Sequence, residues 1–278
     1  MKYKYVIILG IGAFAGNPAK AKAASVFLGT ASNFAVFGST VTNIGLSIIT
    51  GDLGVSSGSA VTGFPPGIVA PPGTIHVADA VALQAQADNQ ATYNYLAGLA
   101  LTQDLTGQDL GGQTLTPGVY SFLSSAQMTG TLTLNNLGDP NALFVFQIGS
   151  TLTTASNSSV LVSNGGDYPN VFFQVGSSAT LGTGTQFKGN ILANTSITMN
   201  TGANIECGRA LAQDGAVTLD TNNVSTACVS AHQVPESDSS WSTLGFGLGC
   251  LLFAFRKRRQ NIQFTTGNDR SNLCDGEV

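Results

Sequence analysis

The segment SITMNTGANI, Ser196 to Ile205, alternates in character: Ile197, Met199 and Ile205 are apolar, while Ser196, Thr198 and Asn200 are small, polar and uncharged. A period of two predicts a strand with one face in a core. Three other segments share the pattern: STLTTASNSSV from Ser150, SSATLGTGTQF from Ser177 and AVTLDTNNV from Ala216. Aligned on the first Thr after an apolar residue, they form a column Thr153, Thr180, Thr198, Thr218. The residues before it are Leu152, Ala179, Ile197 and Val217, and those after it are Thr154, Leu181, Met199 and Leu219. Three positions beyond each column Thr stand Ser156, Thr183, Thr201 and Thr221. A second repeat matches FVFQIGS from Phe144 to VFFQVGS from Val171, and GNILANTS and GRALAQDG fill the same slot in the next two units.

The column advances by 27, 18 and 20 residues. A period near 20, with strands of about five residues and Gly/Asn turns, predicts a three-sided solenoid in which each coil stacks on the last. SNGGDYPN, from Ser163, reads as a loop inserted in the longest step. An antiparallel β-sandwich, with its short strands and turns, is the competing architecture. One stretch departs from period two. The Ala-rich TIHVADAVALQAQADNQATYNYLAGL has no internal Gly or Pro before Gly98, and predicts a helix over about 75–98, capped by Thr74. Ala80, Leu83, Ala87 and Ala91, with Val77 and Val81 beside them, mark its expected buried stripe. FPPGIVAPPG before it, Phe64 to Gly73, reads as a rigid surface loop.

Charge narrows the function classes. Charged residues make up 9% of the 278. Between Ala24 and His232 two basic residues, Lys188 and Arg209, face ten acidic ones, a net of −8. That balance excludes phosphate-backbone binding, which needs a basic stripe. The only histidines, His76 and His232, have no Ser/Asp pairing in their sequence context, and the acids are spread one per turn. No catalytic residue, cofactor or metal site is expected. Cys207 and Cys228 stand 21 positions apart, about one coil. Coil spacing of about 4.8 Å fits the Cα separation of a disulfide; two free buried thiols are the alternative.

Both ends read as processing signals. Lys2 and Lys4 precede an apolar run and AKAA ends at Ala24, so residues 1–23 are expected to be a signal peptide. Near the other end, Val234-Pro-Glu leads through a polar spacer to an apolar run, Leu244 to Phe255, and then Arg256, Lys257, Arg258 and Arg259. Segment 232–259 resembles the PEP-CTERM sorting signal read by an exosortase, although it has Pro-Glu-Ser for Pro-Glu-Pro and a polar tail, 260–278, follows. A plain C-terminal membrane anchor is the alternative. Either way the 24–231 domain is expected to be exported, secreted or held at the cell envelope, with sorting machinery as its partner at this end.

The block LGTASNFAVFGSTVTNIGLSIITGDLGVSSGSAVTGFPPG, the long helix, GQTLTPGVYSF from Gly112 and CGRALAQDGAVTLDTNNV from Cys207 together resemble bacterial-type ice-binding proteins. The resemblance covers about Leu28 to Cys228. It implies a mainly β fold, a discontinuous right-handed parallel β-helix with the α-helix packed alongside and terminal coils meeting out of sequence order. It also implies ice as the partner. The ladder suits that partner on its own terms. In a parallel β-helix Thr153, Thr180, Thr198 and Thr218 form a straight row, flanked by Thr151, Ser178, Ser196 and Ala216 on one side. Ala155, Gly182, Asn200 and Asp220 flank it on the other. Short side chains on a rigid frame have few rotamers to lose, and a repeat near 4.8 Å lies close to oxygen repeats in ice. The expected contact set is Thr151, Thr153, Ser156, Ser178, Thr180, Thr183, Ser196, Thr198, Asn200, Thr201, Thr218 and Thr221. The family's Thr-Ala/Gly-x-Thr/Asn surface motif is matched by TASN at Thr154 and TGAN at Thr201, while TGTQ at Thr183 and TNNV at Thr221 depart from it. An extracellular adhesin or polysaccharide-matrix protein on the same scaffold is the alternative function.

Overall fold

The computed structural model describes residues 26–165 and 170–228. The signal-like N-terminus, the sorting-like segment, the polar tail and residues 166–169 of the SNGGDYPN insertion lie outside the described residues. Among the described residues every strand pairing is parallel, which rules out the antiparallel sandwich. The strands stack in three faces of a solenoid.

The first face runs Ala126–Met128, Leu152–Thr154, Ala179–Leu181, Ile197–Met199, Ala216–Asp220, Thr40–Ile44, Val61–Thr62. The second runs from Gln103–Asp104 through Gly118–Phe122, Phe144–Ile148 and Val171–Val175 to Phe34–Gly38, Asp52–Val55 and Ile75–Val77. The third runs from Thr114–Leu115 through Thr131–Asn135 and Ser159–Ser163 to Asn223–Ser225, Ile48–Thr50 and Ile68–Ala70. Two long strands, Gln186–Ala193 and Asn204–Ala212, belong to the second and third faces at once. Each bends at a glycine where the register shifts. Gly189 has φ +112° there, and a Cβ on Gly208 would lie 1.9 Å from the Gly189 carbonyl oxygen. Only glycine fits two coils so close at a corner.

The winding is discontinuous. Thr40–Ile44 pairs with Ala216–Asp220, Phe34–Gly38 with Asn204–Ala212, and Ile48–Thr50 with Asn223–Ser225. The N-terminal coil therefore stacks on the C-terminal coil. Arg209 ties this joint: its guanidinium donates to the Ser32 carbonyl at 2.7 and 3.1 Å and to Asn190 Oδ1 at 2.8 Å. A disulfide joins Cys207 to Cys228 at a Cα separation of 4.4 Å.

The inward residues fill the solenoid with a continuous apolar core, in which Tyr120, Phe146, Phe173 and Phe187 stack with ring centroids 4.5–5.6 Å apart. Val171–Val175 is buried at all five positions. One side of that strand faces the core and the other faces the helix, so it reads as a continuous apolar run. The helix spans Ala80–Ala97 and is capped by Asp79, whose carboxylate accepts from the Ala82 N–H at 2.8 Å. This corrects the Thr74 cap: Ile75–Val77 is a strand on Asp52–Val55. The buried stripe is corrected too. Ala82, Ala85, Asn89, Thr92 and Leu96 are buried, whereas Ala80, Leu83, Ala87 and Ala91 face out. Polar residues can enter the interface because each finds a partner there. Asn89 donates to Gln213 Oε1 at 2.9 Å, Thr92 to the Phe27 carbonyl at 2.9 Å, and Gln147 to the carbonyls of Leu96 and Leu99 at the helix end. Phe64 to Gly73 is not one loop either: Ile68–Ala70 forms an edge strand on Ile48–Thr50. Prolines on both sides suit an edge position, where an N–H is expendable.

Candidate functional site

The helix covers one face, leaving two exposed. The first face carries the ladder. Gln127 pairs with Thr153, Thr153 with Thr180, Thr180 with Thr198, and Thr198 with Thr218. The row then continues into the N-terminal coils, where Thr218 pairs with Thr42 and Thr42 with Thr62. Six threonines stand in register across roughly 24 Å at the usual strand spacing. Behind five of them lies a buried residue, Leu152, Ala179, Ile197, Val217 and Val41, each at most 1% exposed, and behind Thr62 lies the half-buried Val61. That packing holds the outer row flat.

The structure places Thr151, Ser178 and Ser196 on one flank of the row, with Ala216 and Thr40 next in line. Thr151 donates to Ser125 Oγ at 2.9 Å. Asn200 and Asp220 lie on the other flank, where Ile44 pairs with Asp220. Ser156, Thr183, Thr201 and Thr221 sit exposed at the corner leading to the third face. Thr40, Thr42 and Thr62 were not in the sequence-derived set. The signals TVT at Thr40 and AVT at Ala60 follow the same apolar–Thr pattern, but their place in the row depends on the out-of-order stacking.

One motif residue is misplaced by the sequence reading. Thr154, first in TASN, is buried at 3% exposure, with its hydroxyl 2.8 Å from that of Thr185 and accepting from the Gly182 N–H. The short strand Leu152–Thr154 ends with an inward position, so this Thr braces the turn instead of meeting solvent.

Beneath the corner runs a buried polar network. Asn222 donates to the Asn200 and Ala203 carbonyls at 2.9 and 2.8 Å and accepts from the Asp220 N–H at 2.6 Å. The Asn222 N–H donates to Ser47 Oγ, which donates to Asn43 Oδ1, and Asn43 in turn donates to the Gly45 and Gly63 carbonyls. Turns of neighbouring coils are thus locked by satisfied hydrogen bonds, and such networks rigidify when complete.

The third face is chemically different. Its outward positions include Leu161, exposed at 49%, and a Lys188–Glu206 ion pair at 3.1 Å. On the ladder face two carboxylates stand among the described column and flank residues: Asp109, bridged in register to Gln127 beyond the end of the threonine row, and, beside the row itself, Asp220. The Asp220 carboxylate turns to the corner and accepts the hydroxyls of Thr201 and Thr221.

His76 corrects another expectation. Its ring lies 2.8 Å from Thr74 Oγ1 and 2.8 Å from Asp79 Oδ2, a Thr–His–Asp chain made within the six residues TIHVAD. It stands on the edge strand beside the helix cap, so its geometry serves the Asp79 cap. Among the described residues no His, Cys, Asp and Glu group has metal-holding geometry.

A family model described as Ice-binding-like matches residues 36–225. An ice-binding protein of Nostoc sp. strain HG1 is 69% identical over 261 residues, covering 92% of this chain and 96% of that protein. The crystal structure of an ice-binding protein from an Antarctic biological consortium superposes with a TM-score of 0.70 at 46% identity, covering 80% of this chain and 96% of the other. That of an ice-binding protein from the Antarctic ascomycete Antarctomyces psychrotrophicus gives 0.69 at 40% identity, over 73% and 99% of the two chains. The matched stretch spans all three faces and the helix, and the chain belongs to the ice-binding-like family.

Proposed function

We propose that this protein adsorbs to ice through the threonine face and so inhibits ice growth and recrystallisation. The observation that carries the reading is the in-register row Thr153, Thr180, Thr198, Thr218, Thr42, Thr62 on an exposed sheet face. Hydroxyls and methyls at a fixed spacing hold a water layer in lattice-like order. Lysine or glutamate there would impose its own hydration. Because the frame is rigid, many weak contacts add without an ordering cost at each site. The named ice-binding function of the relatives supports the same reading.

The contact set combines the row with Thr151, Ser178, Ser196 and Asn200 on its flanks and Ser156, Thr183, Thr201 and Thr221 at its corner. No member of the row is aromatic, which counts against a sugar-binding platform. We further infer export by the N-terminal signal 1–23 and delivery to the envelope or medium through the PEP-CTERM-like segment 232–259. The chemistry of the face needs no catalytic group.

Ice-affinity partitioning of the recombinant protein tests the function. Enrichment in the ice fraction is expected, and partition equal to that of an inert protein would refute it. Replacing Thr180 and Thr198 by Tyr tests the face. Recrystallisation inhibition is expected to collapse while the unfolding transition is kept; inhibition that survives places the contact elsewhere.

A further inference from the structure

A carboxylate directly beside the six-threonine row needs a reason. Asp220 ends the strand Ala216–Asp220 beside the threonine row. Its Oδ2 accepts the hydroxyl of Thr201, one coil away, and its Oδ1 accepts that of Thr221 at 3.2 Å. The backbone around it is held from several sides. The Asp220 N–H donates to buried Asn222 at 2.6 Å, the Gly202 N–H donates to the Asp220 carbonyl at 3.1 Å, and the Thr221 N–H donates to the Ile44 carbonyl at 2.9 Å.

A threonine hydroxyl has one proton and two lone pairs, and an ionised carboxylate only accepts. Both corner hydroxyls therefore spend their proton on Asp220, and they offer only acceptor lone pairs to water. At the matching places along the same flank, Ala155, Gly182 and, one coil on from Thr183, Asn200 carry no carboxylate.

We propose that Asp220 is a positioning residue of the ice contact: it fixes the hydrogen-bond polarity of Thr201 and Thr221, so that these two present oxygens in a set orientation to the first ordered water layer. The proposal rests on the ice-binding reading. It explains how a charge fits on this face: two charge-assisted hydrogen bonds satisfy the carboxylate sideways, so it makes little demand on the ice-facing water.

The test uses Asp220→Asn, which keeps the shape but replaces one acceptor oxygen by a donor, in two backgrounds: wild type and the double variant Thr201→Val/Thr221→Val. Thermal hysteresis and recrystallisation inhibition are measured beside the melting temperature. Hydroxyl-proton resonances of Thr201 and Thr221 are recorded in supercooled solution. In wild type both resonances should be slow to exchange, while those of Ser156 and Thr183 should not. D220N should lose this protection and drop in activity to the level of the double variant, and should lower activity no further within it. A merely structural aspartate would lower activity equally in both backgrounds, and that additivity overturns the proposal. Full activity in D220N with an unchanged melting temperature overturns it too. Wild-type protein that stays out of ice defeats the ice-binding reading and this proposal with it. Wild type that partitions while D220N is fully active defeats the proposal alone.

Discussion

Replacing Asn222 by Ala should unlock the corner that carries Thr201 and Thr221. Asn222 has no exposed surface. Its amide donates to the Asn200 and Ala203 carbonyls at 2.9 and 2.8 Å, and its Oδ1 accepts from the Asp220 N–H at 2.6 Å. After truncation the Asn200 carbonyl keeps the Ala203 N–H at 2.9 Å, but the Ala203 carbonyl and the Asp220 N–H lose these side-chain partners. A buried group left unsatisfied costs about 1–3 kcal/mol, so the variant should lose about 2–6 kcal/mol. Set against the roughly 5–15 kcal/mol of a typical domain, that is a large share. Urea unfolding followed by circular dichroism, with the disulfide intact, measures the loss. The exposed neighbour Asn223→Ala serves as control and should stay within about 0.5 kcal/mol. If Asn222→Ala lies within about 1 kcal/mol of wild type at an unchanged m-value, water reaches these groups, and the account of a corner locked from beneath is wrong.

Other outcomes follow from the same geometry. Gln127 sits in register at the end of the threonine row, so Gln127→Thr should extend it by one rung and raise thermal hysteresis; no gain would mean that this end of the row lies outside the contact. Cys228→Ser opens a loop with a sequence separation of 21, and should cost about 3 kcal/mol by loop entropy, read as a lower urea midpoint that reductant does not lower further. The backbone N–H of Ala82 and then the His76 ring hold the Asp79 carboxyl below its ordinary 3.8. A lowered folded pKa stabilises above the unfolded value and is lost as pH falls through the folded one. Wild type should therefore lose melting temperature below about pH 4 more steeply than Asp79→Asn, and parallel acid limbs would contradict the cap.

The strands and their inward residues were legible in the sequence because a half-buried strand repeats every two residues. The column Thr153, Thr180, Thr198, Thr218 emerged from that rhythm alone. So did the charge deficit that makes the face unusual. The helix was legible as an Ala-rich run, but not its buried side. Beside the apolar packing of Ala82, Ala85 and Leu96, its contacts include hydrogen bonds made by Asn89, Thr92 and Gln147 to particular partners, and these carry no hydrophobic period. Thr42 and Thr62 belong to the row because the N-terminal coil stacks on the last one. Pairings between residues more than 150 positions apart leave no local signature. Burial of Thr154 and the sideways turn of Asp220 depend on where each strand ends, to within one residue. Alternation marks the face of a strand, and only the packed corner decides which side of its last residue meets water.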